Sequence, residues 1–390
     1  MKKYLSIFLI LLFLVGIVSP TFAVGDDVTD EVRAEIEELL ERYNDFILIY
    51  YKCDGALDYD ESIQYCFEVN YFPYGDEETF YEVSSICGYR VTDERYGTKD
   101  ALRKLVFDTF IEEDAERYFN HLTTTEFGYP IYHSDGQHLY TDNRGFKKNA
   151  ILPMRYIDID TAKITSSEKG YIVTARGSSR FSEDGVEATD SNIKLLISNE
   201  NGTLKLAYMK ATKDSVEENF SSNDKIEILL DKIEAYNTNA PDKSKCYLFS
   251  TPYTIAHSEL HGYLLNGGVD FSDIYDIIYD VYDKSLANSV YTTLCIGDGD
   301  YFAPSGPFYF ENEQGVFCST HTLEPIVDLR KDALVVETEN DYILYQQGEY
   351  FFYRAKDIDA FGDGQYEFLI YDKKSIYSLT DEEKALLGIN

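Results

Sequence analysis

The chain has 390 residues, of which 35 are Lys or Arg and 70 are Asp or Glu, for a formal net charge of −35. A balance this acidic excludes nucleic acid and anionic lipid as partners, because both are held by cations that neutralise phosphate. It favours a basic partner, and it also keeps an exported protein soluble.

Met1 to Ala23 opens with Lys2 and Lys3, continues as an apolar run from Leu5 to Val18 and ends in Ser19-Pro20-Thr21-Phe22-Ala23. This is the pattern of a secretory signal peptide; the run is too short for a span of roughly 18 apolar residues, so residues 1–23 are expected to be cleaved. No Cys at the cut points to a lipid anchor. The mature chain of 367 residues, at −37, is expected in the extracellular, cell-wall space and off the membrane. That length suits two domains.

Six cysteines divide three per half: Cys53, Cys66 and Cys87, then Cys246, Cys295 and Cys318. Export permits disulfides, and an odd count per half leaves either one spare thiol in each or a bridge between halves. Cys53 and Cys66 flank the turn-rich Asp54-Gly55…Asp60 segment, which favours that pair.

A helix is predicted from Thr29 to Phe46, with Val32, Ile36, Leu39, Leu40, Tyr43 and Phe46 on one stripe and acids on the other. Extended runs follow at Ile47–Tyr51 and Tyr65–Phe72. A Thr98-led helix then carries Leu102, Leu105, Val106 and Phe110, a second short helix carries Ala115, Tyr118 and Phe119, and Asp135-Gly136 marks a hairpin. Period-two strands are expected at Tyr171-Val173-Ala175, Ile193-Leu195-Ile197 and Leu204-Leu206-Tyr208, with Asn201-Gly202 turning the last two. The layout recurs after the polar boundary. A leading helix, Asp224 to Tyr236, precedes a Ser272-led helix with Ile274, Ile277, Ile278 and Tyr282, then Ala287, Val290 and Tyr291. From Leu102/Ile274 to Phe119/Tyr291 the offset is constant at 172. Strands at Leu334–Val336, Tyr342–Tyr345, Tyr350–Tyr353 and Tyr366–Tyr371 close the chain.

Helices first and antiparallel hairpins afterwards specify an α+β class. The expectation is two tandem modules, residues 24–215 and 224–390 joined by a linker at 216–223, each with helices packed on a curved antiparallel sheet of cystatin-like or nuclear-transport-factor-like form. An alanine at Leu105 or Ile277 should cost about 2–5 kcal/mol if both face a core.

Chemistry is sparse. The chain has no Gly-x-Ser-x-Gly, His-Glu-x-x-His or Cys-x-x-Cys and no phosphate-cradling Gly-rich loop, and its six His are scattered. Asp158/Asp160 and Asp298/Asp300 are paired acids of the kind expected by chance in so acidic a chain. Asp357…Asp359…Asp363-Gly364…Glu367 departs from calcium-loop spacing at Phe361 and Phe368 and reads as a turn into a strand. No catalytic residue, metal site or cofactor is expected.

The run Gly88-Tyr89-Arg90-Val91-Thr92-Asp93…Thr98-Lys99-Asp100-Ala101-Leu102-Arg103-Lys104-Leu105…Phe110…Asp114-Ala115-Glu116-Arg117-Tyr118-Phe119, followed by Asp135-Gly136-Gln137-His138-Leu139-Tyr140, resembles the IseA-type inhibitors of bacterial cell-wall DL-endopeptidases. The resemblance covers residues 80–208 well and the second half in outline, where Tyr263-Leu264 and Ser272-Asp273 replace Tyr-Arg and Thr-Lys. It implies a non-catalytic protein that binds a peptidoglycan hydrolase of the NlpC type and covers its substrate cleft. The matching positions are mostly core, so no inhibitory residue carries over. The residues themselves single out the acidic loop Ser182–Glu187, with Glu183, Asp184 and Glu187, as a contact surface for a basic peptidase. The alternative is a module whose concave, Tyr-rich sheet binds a ligand or a wall fragment.

Overall fold

The computed structural model describes residues 28–71, 82–123, 131–142, 154–188, 191–212, 222–237, 249–254, 261–265, 271–294, 309–311, 317–319, 333–346 and 351–387. It is an α+β protein with antiparallel sheets. Residues 1–23, Cys246 and Cys295 lie outside the described residues.

Helix α1 (Asp30–Tyr51) starts where Thr29 Oγ1 accepts the Val32 N–H at 3.3 Å, a side-chain N-cap. It does not stop at Phe46. The residues expected to be extended, Ile47 to Tyr51, form its last turns, and the helix ends at Lys52 in the left-handed conformation, φ 57°. Ile47, Ile49, Tyr50 and Tyr51 are all buried there. Burying each large side chain is worth about 1.5–3 kcal/mol, which outweighs a β-preference that spans about 1 kcal/mol per residue.

Strands β1 (Tyr59–Tyr71) and β2 (Glu82–Val91) pair antiparallel, with Cys66 opposite Cys87. Those two cysteines form the disulfide, Cα to Cα 4.0 Å. The Cys53–Cys66 pairing favoured by the loop between them is therefore wrong: register sets which Cβ atoms meet, and Cys53 is turned into the core as a free thiol.

Helix α2 (Lys99–Thr109) begins at Thr98, whose Oγ1 accepts the Ala101 N–H at 3.1 Å, and α3 (Glu112–Thr123) follows directly. Strands β3 (Tyr132–Ser134) and β4 (Leu139–Asp142) make the hairpin expected at Asp135-Gly136. The Asp135 carboxylate ties that turn by accepting the Gln137 and His138 N–H groups, each at 2.8 Å. These strands complete a sheet of order β1-β2-β4-β3. A second sheet, order β10-β9-β6-β5, comprises β5 (Tyr156–Ser167), β6 (Gly170–Ser178), β9 (Ser191–Glu200) and β10 (Thr203–Thr212). Asn201 and Gly202, both with positive φ, turn β9 into β10 as the Asn-Gly pair specifies. A side hairpin, β7 (Arg180–Ser182) with β8 (Gly185–Ala188), leaves this sheet between β6 and β9. Helix α1 covers the inner face, where Ile36, Leu39 and Tyr43 share one core with Ile157, Val173, Leu195 and Leu206.

The element order then repeats. Helix α4 (Ser222–Asn237) precedes the hairpin β11 (Phe249–Thr254) and β12 (His261–Leu265), the helices α5 (Phe271–Val281) and α6 (Lys284–Leu294), and strands β13 (Tyr309–Glu311) and β14 (Phe317–Ser319). Their sheet has the order β11-β12-β14-β13, the same as the first. Strands β15 (Ala333–Glu337), β16 (Tyr342–Gln346), β17 (Phe351–Ile358) and β18 (Glu367–Ser375) form the last sheet, followed by a 3₁₀ turn (Ile376–Ser378) and α7 (Asp381–Leu387). The likeness extends to single bonds. Phe110 bridges Leu206 in parallel and Tyr282 bridges Ile370 likewise; the Ile111 N–H donates to Leu206 O at 3.2 Å and the Asp283 N–H to Ile370 O at 2.8 Å.

Part of the outer face of the second sheet is shielded from water. Ile172, Leu196 and Tyr208 belong to the same core as Leu229, Ile278, Tyr279 and Phe361 of the second half. Charges close the seam around it: Arg155 Nη2 donates to both Asp276 oxygens at 2.6 and 2.7 Å, and Lys284 Nζ lies 2.8 Å from Asp114. Lys194 pairs with Asp363 and Lys210 with Glu367, both at 2.5 Å.

That seam changes one expectation. In α5 the deeply buried residues are Ile278, Tyr279, Val281 and Tyr282, while Ile277 is only partly buried. The helix packs on two sides, against its own sheet and against Tyr208 of the first half, so its buried stripe is rotated from the one-sided pattern of α2.

Candidate functional site

The acidic loop singled out in the sequence is the tip of the β7–β8 hairpin. Glu183, Asp184 and Glu187 are all exposed, and Gly185 takes φ 124°, a conformation side chains rarely adopt. The hairpin is fixed to the end of α1 and the residues just after it. The Tyr51 and Phe181 rings stack with centroids 4.0 Å apart, and the Asp54 N–H donates to Glu183 O at 2.6 Å. An aromatic stack and a main-chain bond thus hold the tip in one place, which lowers the ordering cost of any contact it makes.

Beside this hairpin lies an open groove of about 430 Å³, lined by Tyr156 to Asp160 of β5 and by Val186 and Glu187 of β8. Its wall exists because β5 leaves register between Asp158 and Lys163. Thr161 Oγ1 donates to Asp158 O at 2.7 Å and accepts the Arg176 N–H at 2.9 Å, so the departure is a hydrogen-bonded bulge. The bulge brings Asp158 and Asp160, a pair the sequence offers only as a chance coincidence, to the same groove as Glu187. Among the described residues no cationic side chain lines it. Burial, and after it the charges of Asp158 and Asp45, raises the Tyr156 phenol above its ordinary value. The anionic face continues to Asp45, which accepts from Tyr96 Oη at 3.0 Å and Arg95 Nη1 at 3.1 Å.

Asp298 and Asp300 lie outside the described residues, and the segment 359–367 has structural employment. Asp359 caps its own turn by accepting the N–H groups of Gly362, Asp363 and Gly364 at 2.6, 3.2 and 2.9 Å. The turn reading of that segment is the one observed, and Asp363 and Glu367 are spent on the seam. Among the described residues no group of three or more His, Cys, Asp or Glu is placed to hold a metal ion. Cys53 sits in the core, and burial pushes its thiol up to about 11, far from a reactive thiolate.

His133 is buried beneath Tyr65 and stacked on Tyr140 at 5.8 Å. Burial first, and the Lys52 charge as a lesser influence, lower it to about 4, against a backbone hydrogen bond that works the other way. Its value is thus below the unfolded one near 6.5, so the stability it contributes is complete above about pH 6.5 and is lost as pH falls towards 4. We expect His133→Gln to remove about 2 kcal/mol of the stability difference between pH 7 and pH 4, read from urea unfolding at both pH values. An unchanged difference would contradict the burial argument.

Among the described residues no helix is long and apolar enough to cross a membrane. Compared with protein-family models, with curated proteins and with solved structures, the chain finds no match.

Proposed function

We propose that this chain is an exported, non-catalytic inhibitor that binds a basic, NlpC-type DL-endopeptidase of the cell wall and covers its substrate cleft. The observation that carries this reading is the anchored acidic hairpin. Glu183 and Asp184 project from a tip fixed by Tyr51 and Phe181, and Glu187, Asp158 and Asp160 extend the same charge into a groove whose lining, among the described residues, includes no cation. Such a face attracts a cationic enzyme over a distance of several ångströms and meets it with little loss of freedom. The resemblance to IseA-type inhibitors supports the same partner class, and the Lys2-Lys3 leader supports export into the compartment where that partner works.

The test is peptidoglycan lysis by a purified NlpC-type peptidase. A stoichiometric amount of this protein is expected to suppress lysis, and the triple variant E183K/D184K/E187K to weaken suppression at least about tenfold, more at low salt than at high. Unchanged lysis at stoichiometric excess of the wild-type chain sinks the inhibitor reading.

A second reading rests on the first sheet. Tyr59 and Tyr65 are 49% and 38% exposed, and Tyr59 stacks on Tyr89 at 6.0 Å, an aromatic surface suited to a wall glycan. Sedimentation with purified wall, lost on replacing Tyr59 and Tyr65 by alanine and untouched by the acidic triple variant, would favour it.

A further inference from the structure

The two equivalent sheets bury their outer faces in different ways. On the β5–β10 sheet, Ile172, Leu196 and Tyr208 are covered by the second half, and the face's cations are met by acids of that cover, Lys194 by Asp363 and Lys210 by Glu367. On the β15–β18 sheet the cover found among the described residues comes from the same half. Ile343 and Phe352 are covered by Leu379 and Leu387, from the last dozen described residues of the chain. The cover again brings an acid to cations of the face, although Arg354 is also held by Asp341 at 2.8 Å and Lys374 by Asp372 at 3.2 Å. Arg354 Nη2 donates to Glu383 of α7 at 2.6 Å, and Lys374, which occupies in β18 the place that Lys210 occupies in β10, lies 3.7 Å from the same carboxylate. Both outer faces therefore combine buried apolar side chains with cations, and both accept an acidic element.

The covers differ in strength. The second half brings a sheet, two helices and a core of its own. The C-terminal cover is one 3₁₀ turn and a seven-residue helix. Only Leu379, Glu383 and Leu387 of it are buried, while Tyr377 and Leu386 project into solvent. So short a helix is not stable by itself, and two leucines, a partly buried Ile376 and the contacts of Glu383 with Arg354 and Lys374 are set against the freedom that a dozen ordered residues give up. Segments of this kind open first.

We propose that Ile376–Leu387 is a displaceable cover, and that the face beneath it, Ile343 and Phe352 flanked by Arg354 and Lys374, is a second docking surface for an acidic segment of the same form, extended chain leading into a short helix, supplied by another protein. The segment it fits has one aliphatic anchor on extended chain ahead of a short helix, then a carboxylate four residues on and a second aliphatic anchor eight residues on, as Leu379, Glu383 and Leu387 are placed. It is distinct from the hairpin of the first half and does not rest on the inhibitor reading.

The experiment uses the full chain and a fluorescent peptide with the sequence Ser375–Leu387. The variant L379A/L387A loosens the cover without touching the sheet, and it is expected to bind the peptide at least about tenfold more tightly than the wild-type chain. Adding Lys374→Glu should return binding to the wild-type level. Glu383→Lys, which opens the cover from its charged side, should reproduce the gain if loosened packing is the cause. Equal binding by wild type and both opened variants, or no binding by any, overturns the proposal. It is also overturned if the opened chain pairs with itself in light scattering and ignores the peptide, which would assign the face to a second copy.

Discussion

Replacing Asp276 with alanine should destabilise the chain by about 3 kcal/mol or more, measured by urea unfolding of the full protein, because it strands a buried guanidinium. Arg155 is 2% exposed, its Nη2 is the nitrogen that reaches the Asp276 carboxylate, and its Nη1 is buried without a partner. The pair is asymmetric. Asp276 is about one-third exposed and can hydrate when Arg155 is lost, whereas Arg155 cannot hydrate when Asp276 is lost. Arg155→Met should therefore cost less than Asp276→Ala, and the double variant R155M/D276A less than Asp276→Ala alone. If Asp276→Ala costs under about 1 kcal/mol, or if the two single variants cost the same, the seam is wetter than its geometry implies.

Truncating Ile278 to alanine should cost about 2–5 kcal/mol, comparable with Leu105→Ala and at least about 1 kcal/mol more than Ile277→Ala. Leu105 and Ile278 are both buried, 3% and 0% exposed, and each would leave a cavity that neighbours on rigid elements cannot collapse. Ile277 lines the periphery of the same core and loses less. The comparison separates two ideas. If Ile277→Ala proves as costly as Ile278→Ala, α5 faces one sheet as α2 does, and the account of a helix packed between two sheets fails.

These contrasts show where the sequence was readable. The N-caps Thr29 and Thr98, the Asp135-Gly136 and Asn201-Gly202 turns, the α2 stripe and the last four strands were legible because each is written in side chains within a few residues of one another. The C-terminal turns of α1 were not, since Ile47 to Tyr51 have strand-like composition and became helical only through burial against distant strands. The disulfide was misjudged because the turn between Cys53 and Cys66 says nothing about cross-strand register. At the candidate site, Glu183, Asp184 and Glu187 stood out as polar residues between strands, while Asp158 and Asp160 did not. A β-bulge has no sequence mark strong enough to place two acids beside a hairpin 25 residues on.

By itself, then, the sequence determined the α+β class, the repeated element order with its offset of 172, and the acidic character of the chain, since all three follow from local pattern and composition. Only the tertiary structure decided that Cys66 joins Cys87, that apolar residues on the outer face of one sheet are buried by the second half and those of the other by the last described helix, and that Asp158, Asp160 and Glu187 line one groove. The physical reason is that each of these depends on which surfaces meet across long stretches of chain, and burial, unlike capping or turn chemistry, leaves no signature at the residues concerned.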